Sequence, residues 1–119
     1  MELTYQQLHN LAMNTVGRAL QDLGWEFLLV NSDLKKNPQF VCLDPQGGKH
    51  FIIVRAVLNG DEPDDYDTEY MQKVKKHAIQ NNAKAHWAGV GLTHLQNPHQ
   101  PLILGEPYQV NFKGLLEIK

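Results

Sequence analysis

The sequence predicts an α/β fold: a mixed β-sheet with helices on both faces, in the order α-β-β-β-α-β-β. Three observations predict it. Apolar residues recur at helical spacing over 4–23 and again over 67–81. Three short apolar segments joined by turn-rich linkers lie between them. A further apolar segment follows the second helix directly. Consecutive strands on short linkers form an antiparallel meander. A helix between two strands is a crossover that lays the next strand parallel, with right-handed sense.

Each element has local support. Thr4 stands where an N-cap belongs, with Gln7 in the capping-box position. Leu8, Leu11, Ala12, Val16, Ala19, Leu20 and Leu23 then share one face. Gly24 follows as a left-handed C-terminal residue. WEFLLV (25–30) is a strand. QFVCL (39–43) and HFIIVRAV (50–57) are strands linked by DPQGG, a sequence suited to a hairpin. The second of these is apolar on both faces, as a buried middle strand should be.

Asp67 or Thr68 caps the second helix, which runs to about Asn81 with Tyr70, Met71, Val74 and Ala78 inward. HWAGVGLTH (86–94) is the parallel strand, and its glycines leave room for a helix to pack close. PLILG and PYQVNFKGLLEI form a last strand or hairpin.

Composition narrows the function. The 119 residues suit one domain with one modest core. The longest apolar runs, Phe27–Val30 and Phe51–Val54, are too short to span a bilayer. The opening MELTYQQLHN has neither a basic nor an apolar leader segment, so a cytoplasmic address is expected. Cys42 is the only cysteine, which excludes an internal disulfide, a zinc knuckle or a cysteine-held iron–sulfur cluster within one chain. Mid-strand among apolar neighbours, it is expected to be buried and inert. The net charge is −2, whereas domains that grip phosphate backbones are usually basic. A protein partner or self-association, through an exposed sheet edge near the C-terminal strand, is therefore expected ahead of nucleic acid. No membrane partner is expected. GGK (47–49) lacks the spacing of a phosphate loop and GxGxxG is missing, so no cofactor is indicated.

Several groups invite a functional reading and are better explained otherwise. Six of the thirteen acids fall in DEPDDYDTE (61–69). The loop lacks the EF-hand pattern, and its last acids suit the N-terminus of the second helix. Lys73, Lys75 and Lys76 balance those acids on a helix face. The histidines form neither HExxH nor HxH, and His86 and His94 lie too far apart for one metal, so all six are expected at the surface or at strand ends. Trp25 and Trp87 are expected at strand starts, packed across the sheet edge.

One stretch carries a family resemblance. LGWEFLLVNSDLKKNPQFVCLDPQGGKHFIIVRA (23–56), with the helix and strand after it, resembles the core of the restriction-endonuclease-like PD-(D/E)xK superfamily, in the outline of the small Holliday-junction resolvases. The resemblance places the catalytic Asp at Gln39, the Glu at Ile53 and the Lys at Arg55. The accessory acid of the first helix falls near Met13 or Asn14. It also turns Gln72, Lys73 and Lys76 toward the cleft.

That chemistry requires carboxylates holding a divalent ion that activates water. Gln39 offers only a neutral carbonyl, Ile53 offers nothing, and a guanidinium stays protonated and makes a poor base. The resemblance therefore implies a degenerate member with no catalytic residue and no metal site, and the balance falls against an enzyme. Gln39, Ile53, Arg55, Gln72, Lys73 and Lys76 remain as cleft candidates of a non-catalytic binding or scaffolding domain. The alternatives are a nuclease whose acids have moved to Asp33, Asp44 or the 61–69 loop, and a small-molecule or peptide site in the same cleft.

Overall fold

The computed structural model describes residues 1–119. It contains α1 (Tyr5–Asp22), β1 (Glu26–Val30), β2 (Phe40–Leu43), β3 (Lys49–Val57), α2 (Thr68–Gln80), β4 (Ala83–His94), β5 (Tyr108–Asn111) and β6 (Leu116–Glu117). The sheet order is β1-β2-β3-β4-β5, with β6 also on β4. β1, β2 and β3 form the antiparallel meander. After α2 the chain returns as β4, parallel to β3 from Lys49↔Ala83 to Val57↔Gly91.

The helix boundaries follow local chemistry. Thr4 Oγ1 accepts from Gln7 N, and Gln7 Oε1 accepts from Thr4 N, so two N–H groups at the start of α1 are satisfied reciprocally. Leu23 is the C-cap, and Gly24 follows with φ +76°. Asp67 caps α2 by accepting from Tyr70 N, and Glu69 adds a negative charge to its first turn.

Alternation along the strands splits the core in two. Phe40, Cys42, Ile52, Val54, Ala88 and Val90 face α1 and pack on Leu8, Ala12, Val16 and Leu20. Phe51, Ile53, Ala85 and Trp87 face α2 and pack on Met71 and Ala78. The central β3 is buried on both faces from His50 to Val54, as its continuous apolar run requires.

Four expectations are corrected. β4 begins at Ala83, three residues early, which puts Trp87 well inside the strand; its indole N–H donates to Pro63 O. The space left by Gly89 is filled by that Pro63 carbonyl, so the glycine admits a loop and not a helix. The C-terminal segment is not a hairpin. β5 and β6 each pair with β4, at its C-terminal and N-terminal ends, and 101–105 contributes only a bridge from Ile103 to Glu2. Lastly, His9 and His86, expected at the surface or at strand ends, are buried inside α1 and β4, while His50 and His94 do stand at strand ends and are buried there. No helix is long and apolar enough to cross a membrane.

Candidate functional site

Gln39, just before β2, is fully buried, and its amide is saturated. Nε2 donates to Lys36 O at 2.6 Å and to Asn37 Oδ1 at 3.1 Å. Oε1 accepts from Val54 N at 2.8 Å and from Arg55 Nη1 at 3.4 Å. Two donors and two acceptor positions are the whole capacity of a glutamine side chain. A carboxylate here would lose both donations.

Arg55, near the end of β3, is held by the same network. Nη1 also donates to Val54 O, and Nη2 donates to Asn37 Oδ1 at 3.1 Å and to Tyr70 Oη at 3.4 Å. Its guanidinium lies 6.0 Å from the centre of the Tyr70 ring. Asn37 Nδ2 closes the circuit on Tyr70 Oη. Arg55 forms no ion pair; the three acid–base contacts of the chain are Asp44–His50, Glu106–His94 and Glu62–Lys113. Ile53 is fully buried beside Met71. Gln39 and Arg55 are thus joined, and Ile53 lies in the adjoining core.

The helix residue that reaches this cluster is Tyr70, in the first turn of α2. Gln72 is exposed and donates to Lys119 O, while Lys73 and Lys76 are exposed without a recorded partner. Nothing in the sequence marked Tyr70 beyond its place on the inner face. Of the acids considered as relocated ligands, four are engaged elsewhere, while Asp64 Oδ1 is buried without a partner. Asp33 accepts from Lys35 N, Asp44 binds His50, Glu62 pairs with Lys113, and Asp67 caps α2. No group of three His, Cys, Asp or Glu side chains converges closely enough to hold a metal ion. His9 on α1 is 1% exposed with neither ring nitrogen bonded. Burial, and then the charge of Arg55, lowers its pKa against an opposing pull from Asp33, which favours the neutral ring.

A second polar cluster lies at the other end of β3, on the α1 side. Asp44 Oδ2 is 2.8 Å from His50 Nε2, and His50 Nδ1 is 2.8 Å from His86 Nε2. Trp25 stacks on His50 at 4.1 Å. The His50 hydrogen bond, then the N–H of Gly48, holds the Asp44 carboxyl below its usual range. When Asp44 is ionised and neither ring carries a charge, the protons are ordered. His50 Nε2–H donates to Asp44, His86 Nε2–H donates to His50 Nδ1, and His86 Nδ1 is left as a buried acceptor without a partner. Burial, and then the neighbouring His50, pushes the His86 pKa down to about 4.

Sequence reasoning missed this chain because its members come from the β2–β3 turn, β3 and β4. Only the register of the parallel pair brings the two rings together. Cys42, as expected, is buried, and burial pushes its thiol up to about 11.

These elements define a small α/β protein with a six-stranded mixed sheet between two helices. The chain belongs to the family described as Domain of unknown function (DUF8840), whose model matches residues 6–118. No curated protein and no solved structure matches it.

Proposed function

We propose that this chain is a single-domain, non-catalytic binding module on a degenerate restriction-endonuclease-like frame, and that its partner is a protein. The observation that carries this reading is the closed network of Gln39, Asn37, Arg55 and Tyr70. At the place where the resemblance puts a metal and an activated water, an amide, a guanidinium and a phenol satisfy one another beside a buried isoleucine. No carboxylate lies within ion-pair distance of Arg55. A site of this kind has no ligand set for a hard cation and no general base. The charge of −2 argues in the same direction, since backbone phosphate binding is driven by an excess of cations.

The test is incubation of the purified protein with fluorescent branched and linear DNA at low and moderate salt, first with Mn²⁺ and then with EDTA. The expected result is no cleavage and no saturable binding. Cleavage that needs Mn²⁺ overturns the non-catalytic reading. Saturable, salt-sensitive binding without cleavage overturns the choice of a protein partner.

A further inference from the structure

The chain leaves β3 through the turn Leu58-Asn59-Gly60-Asp61. Asp61 N donates to Leu58 O at 3.1 Å and closes it. Both corner residues have positive φ, +63° at Asn59 and +74° at Gly60, the pattern of a type I′ turn. Asn-Gly is the sequence that such a turn selects. Asparagine tolerates the left-handed region better than most side chains, and glycine enters it freely.

The same two residues are set up for a reaction. An asparagine carboxamide stands close to the backbone nitrogen of the next residue, and closure of a five-membered ring between them is hindered by that residue's side chain. Glycine has none. Only Asn59, of all the asparagines, precedes a glycine. Both residues are exposed, and neither the Asn59 carboxamide nor the Gly60 N–H is held by a hydrogen bond within the chain. Asn31 and Asn82 precede the small residues Ser32 and Ala83 but are less free. Asn31 Oδ1 accepts from Asp33 N at 3.0 Å, and Ala83 is buried at the start of β4.

The turn also suits the geometry of the ring. The ring holds ψ of the asparagine at about −120°, which with a positive φ is the first corner of a type II′ turn. A type I′ turn reaches that state by rotating one peptide plane, between Asn59 and Gly60. The φ of Asn59 stays where it is. The φ of Gly60 changes sign, which glycine does without steric penalty.

We infer that Asn59 is a site of spontaneous deamidation through attack by Gly60 N on Asn59 Cγ. The N–Cγ bond forms, the Cγ–Nδ2 bond breaks, and ammonia leaves with the Gly60 amide proton. Solvent water then opens the succinimide at either carbonyl. Opening at Cγ gives aspartate. Opening at the main-chain carbonyl of Asn59 gives isoaspartate, with a backbone one carbon longer.

Either product places a new carboxylate at the head of the acidic loop, next to Asp61 and Glu62. It also charges the wall of a cavity of about 490 Å³ that Asn59 lines with Glu2 and His99. The isoaspartyl product lengthens the segment leading to Pro63, whose carbonyl fills the space at Gly89. The change accumulates with the age of the chain. Its isoaspartyl form is a substrate for the class of methyltransferase that esterifies isoaspartyl carboxylates. None of this depends on the reading of a protein-binding module.

The test holds the purified full chain warm at mildly alkaline pH, folded and in urea, and follows the tryptic peptide 56–73 by mass spectrometry. Asn59 is expected to convert before any other asparagine, and in the folded chain at a rate within a few-fold of that in urea. An acidic species should grow on ion exchange and accept methyl groups from an isoaspartyl methyltransferase. Both signals should vanish in Asn59→Gly, which keeps the left-handed corner and removes the amide. Three results overturn the inference: an Asn59 that stays intact in the folded chain while urea-unfolded chain loses it, another asparagine that converts first, or an acidic, methyl-accepting species that persists in Asn59→Gly.

Discussion

His50 Nδ1 and His86 Nε2 lie 2.8 Å apart with a single proton between them, and the other side of the His50 ring is tied to Asp44. A proton added to His86 is a buried charge beside a second imidazole. Its pKa is therefore held at about 4, against an ordinary 6.5. The unfolded chain takes up that proton more readily than the folded one, so the sign is fixed. The contribution is complete above 6.5 and is lost as pH falls through the window toward 4, in total up to about 3 kcal/mol. His9, also lowered, acts with the same sign. Urea unfolding of the wild type and of His86→Phe between pH 7.5 and 4 checks this. The wild type should lose stability more steeply, and parallel curves for the two proteins would discard the explanation.

Asp44 both orients His50 and organises the β2–β3 turn, accepting from Gln46 N and Gly48 N. Asp44→Asn keeps the shape and removes the charge from three hydrogen bonds. A loss of stability at pH 7 is expected, read as a lower urea midpoint. In NMR spectra the His50 ring nitrogens should also report a change of tautomer balance. An unchanged urea midpoint together with unchanged ring shifts would mean that the carboxylate does not order the chain.

Gln39→Glu places an acid at the position the nuclease resemblance assigns. The new carboxylate meets Val54 N–H and Arg55 favourably but loses both donations, to Lys36 O and Asn37 Oδ1. A net destabilisation of about 1–2 kcal/mol is expected. No Mn²⁺-dependent DNA cleavage should appear, because Ile53 still provides no second ligand. Denaturant titration and a plasmid-nicking assay read the two outcomes, and nicking would show that the frame supports metal chemistry with a single added acid.

A β-carbon at Gly89 overlaps the Pro63 carbonyl oxygen, the same atom that accepts the Trp87 indole N–H. Backbone on both sides leaves little room for relief. Gly89→Ala should therefore cost about 3 kcal/mol or more and shift the tryptophan emission as the indole loses its partner. Gly17→Ala, whose β-carbon meets only the Phe40 ring at ordinary contact distance, should fold normally. Comparable thermal midpoints for the two variants would contradict this packing.

How much of this was legible in the sequence depended on the range of the interaction. Thr4 with Gln7, Gly24, and Asp67 with Tyr70 act within a few residues, and each stands where its chemistry predicted. The meander and the parallel return followed from linker lengths. The buried histidines did not, because His50 and His86 are ordinary residues until β3 and β4 set their register. Gly89 suggested a close approach, but only the path of the 58–67 loop shows that Pro63 makes it. At the candidate site, Gln39 and Arg55 were marked by the resemblance. Tyr70 and Asn37, which complete the network, carry no motif.

The parallel ladder between β3 and β4 also sets a timetable. The β1–β2–β3 meander closes over short stretches of chain, whereas every β3–β4 pair must wait for the whole of the loop and α2 to be placed. Closing such long-range pairs is the slow part of folding. On a growing chain, β3 stands finished along one side and bare along the other until β4 emerges. Pulse-labelled hydrogen exchange during refolding should show β2–β3 amides protected before those of β4. In that interval the exposed central strand, more than any surface of the finished molecule, is where misassembly begins.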